Sequence, residues 1–161
     1  MFYIQLIGLL AFCILVLSFY KKSAVTILTY QITANFAYGV HYFLLGGISG
    51  ALTSFIGIFR NIVFIKTNKN KKIFAGIFIL LYLIATIIFY EDFYSLFPMI
   101  ANSSYLISML KGNKKSLLIG GIINSSLWVL YSLFVNSYVG IITESIIIIS
   151  NTIQLIRLKN K

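Results

Sequence analysis

Lys66-Thr67-Asn68-Lys69-Asn70-Lys71-Lys72 separates two apolar runs, 48–65 and 73–90, and reading it as a loop at a membrane surface decides the fold. Each run is close to the ~20 apolar residues that carry a helix across a ~30 Å hydrocarbon core. A short connection holding four lysines marks the cytoplasmic side, because Lys/Arg bias in short loops orients multispanning proteins. Working outward, further runs at 2–20, 24–45, 95–110, 116–135 and 139–157 bring the total to seven crossings. With the N-terminus outside, the basic segments 21–22, 66–72, 111–115 and 157–161 all face the cytoplasm. The outward connections 46–49, 91–92 and 136–138 hold no Lys or Arg. Six or eight crossings would break that one-sided pattern.

Composition agrees. The chain of 161 residues is 60% apolar and 10% charged, against about 45–50% and about 25% in soluble domains. Seven spans use nearly all of it, which leaves no extramembrane domain. A net charge of +10 in a soluble chain would point to nucleic acid. Here the charges flank membrane spans, where attraction to anionic lipid explains them, so membrane lipid is an expected partner and nucleic acid is not. Phe2, Tyr3, Phe19, Tyr20, Phe89 and Tyr90 stand at span ends, as aromatic belts do. The single Cys13 excludes a disulfide within the chain and any CxxC pattern, and it reads as a small buried apolar side chain. Residues 1–5 carry no basic group, so the first run is expected to be a retained span rather than a signal peptide.

Sliding the chain against itself by 90 positions aligns the first three runs with the last three without a gap. Gly50 falls on Gly140, Thr53 on Thr143, Asn61 on Asn151 and Lys21 on Lys111. The expected organisation is a first triple-helix repeat (1–66), a linker helix with its loops (67–92) and a second triple-helix repeat (93–161). One extra crossing between two three-span units makes them parallel rather than inverted. Parallel repeats related by an axis along the membrane normal are a known transporter plan, with the substrate site at their interface. A duplicated bundle without a pore is the alternative.

Polar residues inside the spans follow helix faces. On the last span Gly140, Glu144, Ile147 and Asn151 share one stripe, and on the third span Gly50, Ser54, Gly57 and Asn61 share another. Asn61 and Asn151 each have two donors and two acceptor sites to satisfy, by a neighbouring helix or by a solute. Asn35 and Tyr38 on the second span, and Asn124 and Trp128 on the sixth, add aromatic-polar faces of the kind that hold small polar solutes and also glue helices. Glu144 is the only acid well inside a span; such a group is costly there and marks a functional site by default. It reads as a proton- or cation-coupling carboxylate or as a protonated structural hydrogen-bonder. Arg60 reads as a snorkelling anchor, and His41 as an interfacial histidine. Pro98, at the start of the fifth span, and its counterpart Gly8 are hinge candidates. With one His and three acids there is no catalytic constellation, metal set or phosphate loop, so neither an enzyme nor a cofactor is expected.

The stretches His41-Tyr42-Phe43-Leu44-Leu45-Gly46 and 51–61, then 140–144 with Asn151 and Ile156-Arg157, resemble the bacterial inner-membrane YgjV family over most of the chain. That resemblance implies a multispanning inner-membrane location. The 3+1+3 plan also resembles the SWEET and PQ-loop transporters, which implies movement of sugars or amino acids by rocking two triple-helix bundles. In those carriers an Asn on the third helix of each bundle contacts substrate, and Asn61 and Asn151 match by type and position; Trp128 is similar to their pocket tryptophan in type. The chain departs from them in lacking the Pro-Gln dipeptide and in having one proline. The expectation is therefore an all-α, seven-span inner-membrane protein, N-terminus outside and C-terminus cytoplasmic, carrying a small polar solute. The alternative is a non-transporting scaffold or accessory subunit. Oligomeric state is left open.

Overall fold

A computed structural model describes residues 2–19, 24–67, 69–111 and 113–159. Lys21, Lys22 and Lys161 of the basic set, and Tyr20 of the aromatic set, lie outside the described residues. Among the described residues the secondary structure is all-α, in seven α-helices: α1 (Phe2–Phe19), α2 (Ala24–Leu44), α3 (Ile48–Lys66), α4 (Lys71–Ile88), α5 (Leu96–Leu110), α6 (Lys114–Phe134) and α7 (Tyr138–Lys159). Each apolar run coincides with a helix to within two residues. A 3₁₀ turn, Phe93–Ser95, precedes α5 and is closed by a reciprocal cap between Asp92 and Ser95.

Two of the turns share one construction. α2 ends in a six-residue wrap in which Gly47 N–H donates to Tyr42 O (2.9 Å), with Gly46 at φ 82°. α6 ends likewise: Ser137 N–H donates to Ser132 O (2.9 Å), with Asn136 at φ 55°. This closure puts one residue in the left-handed region, which glycine enters freely and asparagine tolerates. At the other end α6 is capped by Asn113, whose Oδ1 accepts from Ser116 N–H (2.7 Å).

The helices alternate in direction. Gln5 Nε2 donates to Asn136 O (3.0 Å) and Val139 N–H donates to Gln5 Oε1 (3.2 Å), so α1 begins beside the start of α7. The 44–48 and 134–138 turns therefore share one end of the bundle, here the turn end, with the start of α1. Lys66, Lys71, Lys111, Lys114 and Arg157 stand at or near the opposite helix ends, the basic end. α2 packs between α1 and α3, α6 packs between α5 and α7, and α4 lies against α3 and α5.

Four helices, α3, α4, α6 and α7, are long and apolar enough to cross a membrane by length and composition. α5, with 15 residues, spans only ~22 Å at 1.5 Å per residue, short of the ~30 Å core. α2 is long enough, and Gln31, Asn35 and His41 lower its apolarity. The outward surface carries large apolar side chains such as Leu10, Phe36, Phe59, Ile87, Ile142 and Ile149, far more than water would tolerate. α4 buries a stripe of Ala75, Phe78, Tyr82 and Thr86, so beyond the two lysines at its start its polar side chains are the ones turned inward. Cys13, expected to be buried, is exposed: α1 packs on the face of Gly8, Ala11 and Ser18, and Cys13 lies off that face.

Candidate functional site

A cavity of about 250 Å³ lies between the first three helices and the last three, lined by side chains from every helix except α4. Its walls extend from Tyr42, in the last turn of α2, to Leu117, in the first turn of α6. Because α2 and α6 both run from the basic end to the turn end, the cavity reaches most of the way through the bundle.

Aromatic rings close it at the turn end. Tyr42 stacks on Trp128 (centroids 5.1 Å) and packs edge-on to Tyr131 (5.5 Å), and Tyr38 stacks beneath Tyr42 (6.3 Å). Hydrogen bonds joining the two groups of helices gather at this level. Tyr42 and Ser132 share a hydroxyl–hydroxyl bond of 3.2 Å. The Tyr131 hydroxyl accepts from Gly50 N–H (2.9 Å) and from Ser49 Oγ (3.2 Å). Gly50 and Gly140 are what let these groups meet: a side chain at 50 would strike Tyr131, and one at 140 would strike Ser132, Ser137 and Tyr42.

His41 completes the closure. Its Nδ1 lies 2.8 Å from Ile4 O, a group that can only accept, so Nδ1 carries the proton. Nε2 of the neutral ring then accepts from Ser137 Oγ at 2.7 Å, and Ser137 Oγ accepts from Gly140 N–H at 3.1 Å. This chain ties α1, α2 and α7 together with each polar group satisfied. His41 is fully buried rather than interfacial, and Gly8 makes room for it, since a Cβ there would lie 2.8 Å from the imidazole ring. Gly8 is thus a packing glycine; its counterpart Pro98 is buried in the first turn of α5, with its carbonyl accepting from Asn102 Nδ2 (2.8 Å).

Deeper in, the lining is polar. Asn35, Tyr38, Asn124, Trp128, Glu144 and Asn151 all border the cavity. The Tyr38 hydroxyl is buried and faces the Thr143 hydroxyl of α7. The Ser125 hydroxyl faces the Glu144 carboxyl group. On the α7 stripe, Glu144, Ile147 and Asn151 face the cavity, whereas Gly140 serves the closure. On the α3 stripe, Ser54 and Gly57 face it and Asn61 does not. Asn61 lies behind the wall, 1% exposed, with Oδ1 accepting from Arg60 Nε (3.1 Å) and Nδ2 unpartnered among the described residues.

Arg60 takes the wall position instead. It is 7% exposed, borders the cavity and reaches the Tyr82 hydroxyl of α4 at 3.4 Å. Snorkelling was the expectation, but α3 continues to Lys66, six residues and ~9 Å further, and the guanidinium is held inward by Asn61 and Tyr82. Burying an ion costs several kcal/mol unless it is paired and hydrogen-bonded, so a cation placed here is a costly feature of the fold. Its intramembrane position was a signal in the sequence.

A family model for Imp-YgjV, a bacterial inner membrane protein, matches residues 2–161. The chain belongs to the Imp-YgjV family. No curated protein and no solved structure matches it. Membership makes it a bacterial inner-membrane protein, consistent with its lipid-suited surface, and the cavity is therefore a polar chamber enclosed within an Imp-YgjV membrane bundle.

Proposed function

We propose that this Imp-YgjV protein crosses the inner membrane seven times, N-terminus outside and C-terminus cytoplasmic, as two parallel triple-helix repeats joined by α4, and that it carries a small polar solute of the sugar or amino-acid class. The observation that carries this reading is the cavity, which has a polar wall drawn from both groups of helices and an aromatic closure at the turn end. At about 250 Å³ it falls just below the ~300–1,000 Å³ of pockets for drug-sized ligands, which suits a solute the size of one sugar ring or one amino acid. Asn151, Asn35, Asn124, Tyr38 and Trp128 would contact it, with Asn61 acting through Arg60 and Glu144 coupling a proton or cation.

The repeat is supported by register. α2 and α6 both have 21 residues, and Ala24 and Leu44 become Lys114 and Phe134 on adding 90. The left-handed residues Gly46 and Asn136 obey the same offset, as do the Thr53 and Thr143 hydroxyls, which donate to Gly50 O and Gly140 O. The topology is supported by the basic end. A reporter fused after Lys161 is expected to be cytoplasmic.

Uptake into proteoliposomes tests the carrier. Asn151→Ala and Asn61→Ala proteins that fold normally are expected to lose most flux of the transported solute. Unchanged flux of sugars, amino acids and cations in both would favour a scaffold or accessory role, in which the polar faces only hold helices together.

A further inference from the structure

We infer that the solute carries a carboxylate, and that Arg60 with Asn35 holds it on the cavity wall beside Gly57. This rests on the carrier reading for its cavity and narrows the solute class beyond it.

The protein acceptors that Arg60 meets are neutral, Asn61 Oδ1 at 3.1 Å and the Tyr82 hydroxyl at 3.4 Å. These engage Nε and Nη1 of a guanidinium that has five N–H donors, and the side chain borders the cavity. The carboxyl group on the cavity wall belongs to Glu144 and stands elsewhere. Glu144 is six residues into α7 and Arg60 is twelve residues into α3, and both helices start at the turn end. Their levels differ by ~9 Å at 1.5 Å per residue, and Glu144 faces Ser125. A guanidinium held inside a membrane bundle against neutral partners lacks, among the described residues, the anion that such a group ordinarily has.

The surroundings of Gly57 say where that anion sits. A Cβ at Gly57 would lie 2.9 Å from the Asn35 amide nitrogen and 3.8 Å from Arg60 Nη2. Two donors from different helices thus meet beside Gly57, where any side chain would collide with the Asn35 amide. Asn61 holds Nε and Tyr82 of α4 takes Nη1, which leaves Nη2, beside Gly57, to meet a carboxylate oxygen in a charge-assisted hydrogen bond. A neutral sugar would leave the charge unanswered.

Trp128 is the only tryptophan and borders the cavity, so its fluorescence reports occupancy in the purified full-length protein. Lactate, alanine and glucose serve as probes of similar size. Lactate or alanine is expected to give a saturable change that weakens roughly tenfold or more in Arg60→Gln, is partly restored in Arg60→Lys and also weakens in Asn35→Ala, which keeps the cation. Glucose is expected to give none. A carboxylate response equal in wild type, Arg60→Gln and Asn35→Ala, a response to glucose alone, or no saturable response to either carboxylate would overturn the inference. Carboxylate binding without flux in vesicles would contradict the carrier and leave this assignment standing; glucose flux indifferent to Arg60→Gln would do the reverse.

Discussion

Tyr42 and Ser132, 90 residues apart, meet through their hydroxyls at 3.2 Å, so the bond joins two positions that the chain's own offset makes equivalent. Contacts around it are reciprocal. His41 reaches Ser137 at the start of the last helix, and its counterpart Tyr131 reaches Ser49 and Gly50 at the start of the third. Each group of helices grips the other's turn. The result is a closure at one end of a cavity that extends toward the other.

The two close-approach glycines should be intolerant of any side chain. Gly50→Ala and Gly140→Ala would drive a methyl into Tyr131 and Ser132 respectively, and overpacking of this kind costs ~1–3 kcal/mol. Gly76→Ala, with nothing within 4 Å on the outer face of α4, should be neutral or stabilising by up to ~1 kcal/mol. Unfolding of the three purified variants in detergent checks both signs.

The His41–Ser137 bond should be worth what buried bonds between membrane helices are worth, ~0.6 kcal/mol on average and ~1.7 at most. A double-mutant cycle of His41→Phe and Ser137→Ala should return a coupling in that range. The single His41 variant should lose more, because the bond to Ile4 O goes with it. A coupling of zero would remove this pair from the closure.

Outside the spans, burial pushes the Glu91 carboxyl above its ordinary range, opposed by a hydrogen bond from the Ile48 backbone. A group whose pKa rises on folding adds stability below its unfolded pKa and loses it as pH climbs through the folded value. Melting temperature should therefore fall modestly as pH rises from about 4 toward neutrality, and Glu91→Gln should flatten that slope. Equal slopes in both proteins would show that Glu91 carries no such effect.

If Glu144 couples a proton or cation to the solute, Glu144→Gln should abolish the pH dependence of uptake while leaving solute binding to Trp128 fluorescence largely intact. Uptake whose pH profile survives the substitution would leave Glu144 a structural hydrogen-bonder to Ser125.

Much of this was legible from periodicity and charge. Apolar runs gave the helix positions because a membrane helix has little else to specify it, and the i, i+4, i+7 stripe placed Glu144 and Asn151 on one face, where the cavity lies. Three side chains were misjudged for a shared reason: depth within the bundle depends on partners that no local pattern reveals. Arg60 sits near a helix end in sequence, but Asn61 and Tyr82 draw it inward. His41 sits near a helix end too, but Gly8 and Ser137 receive it. Cys13 sits in mid-helix, on the side that no neighbour covers. Asn61 was grouped with Asn151 by offset, and the two differ because on α3 it is Arg60 that borders the cavity and bonds Asn61, whereas the offset places Ser150 at the corresponding position on α7.

Substituted-cysteine labelling at Asn124, in a Cys13→Ser background, tests most directly whether this cavity is a solute chamber open toward the basic end. A membrane-impermeant maleimide should label Asn124→Cys from the cytoplasmic side of oriented vesicles. It should label from the outer side only when His41→Phe and Ser137→Ala have loosened the closure. Labelling from neither side, with or without those substitutions, would show a sealed bundle and contradict the account.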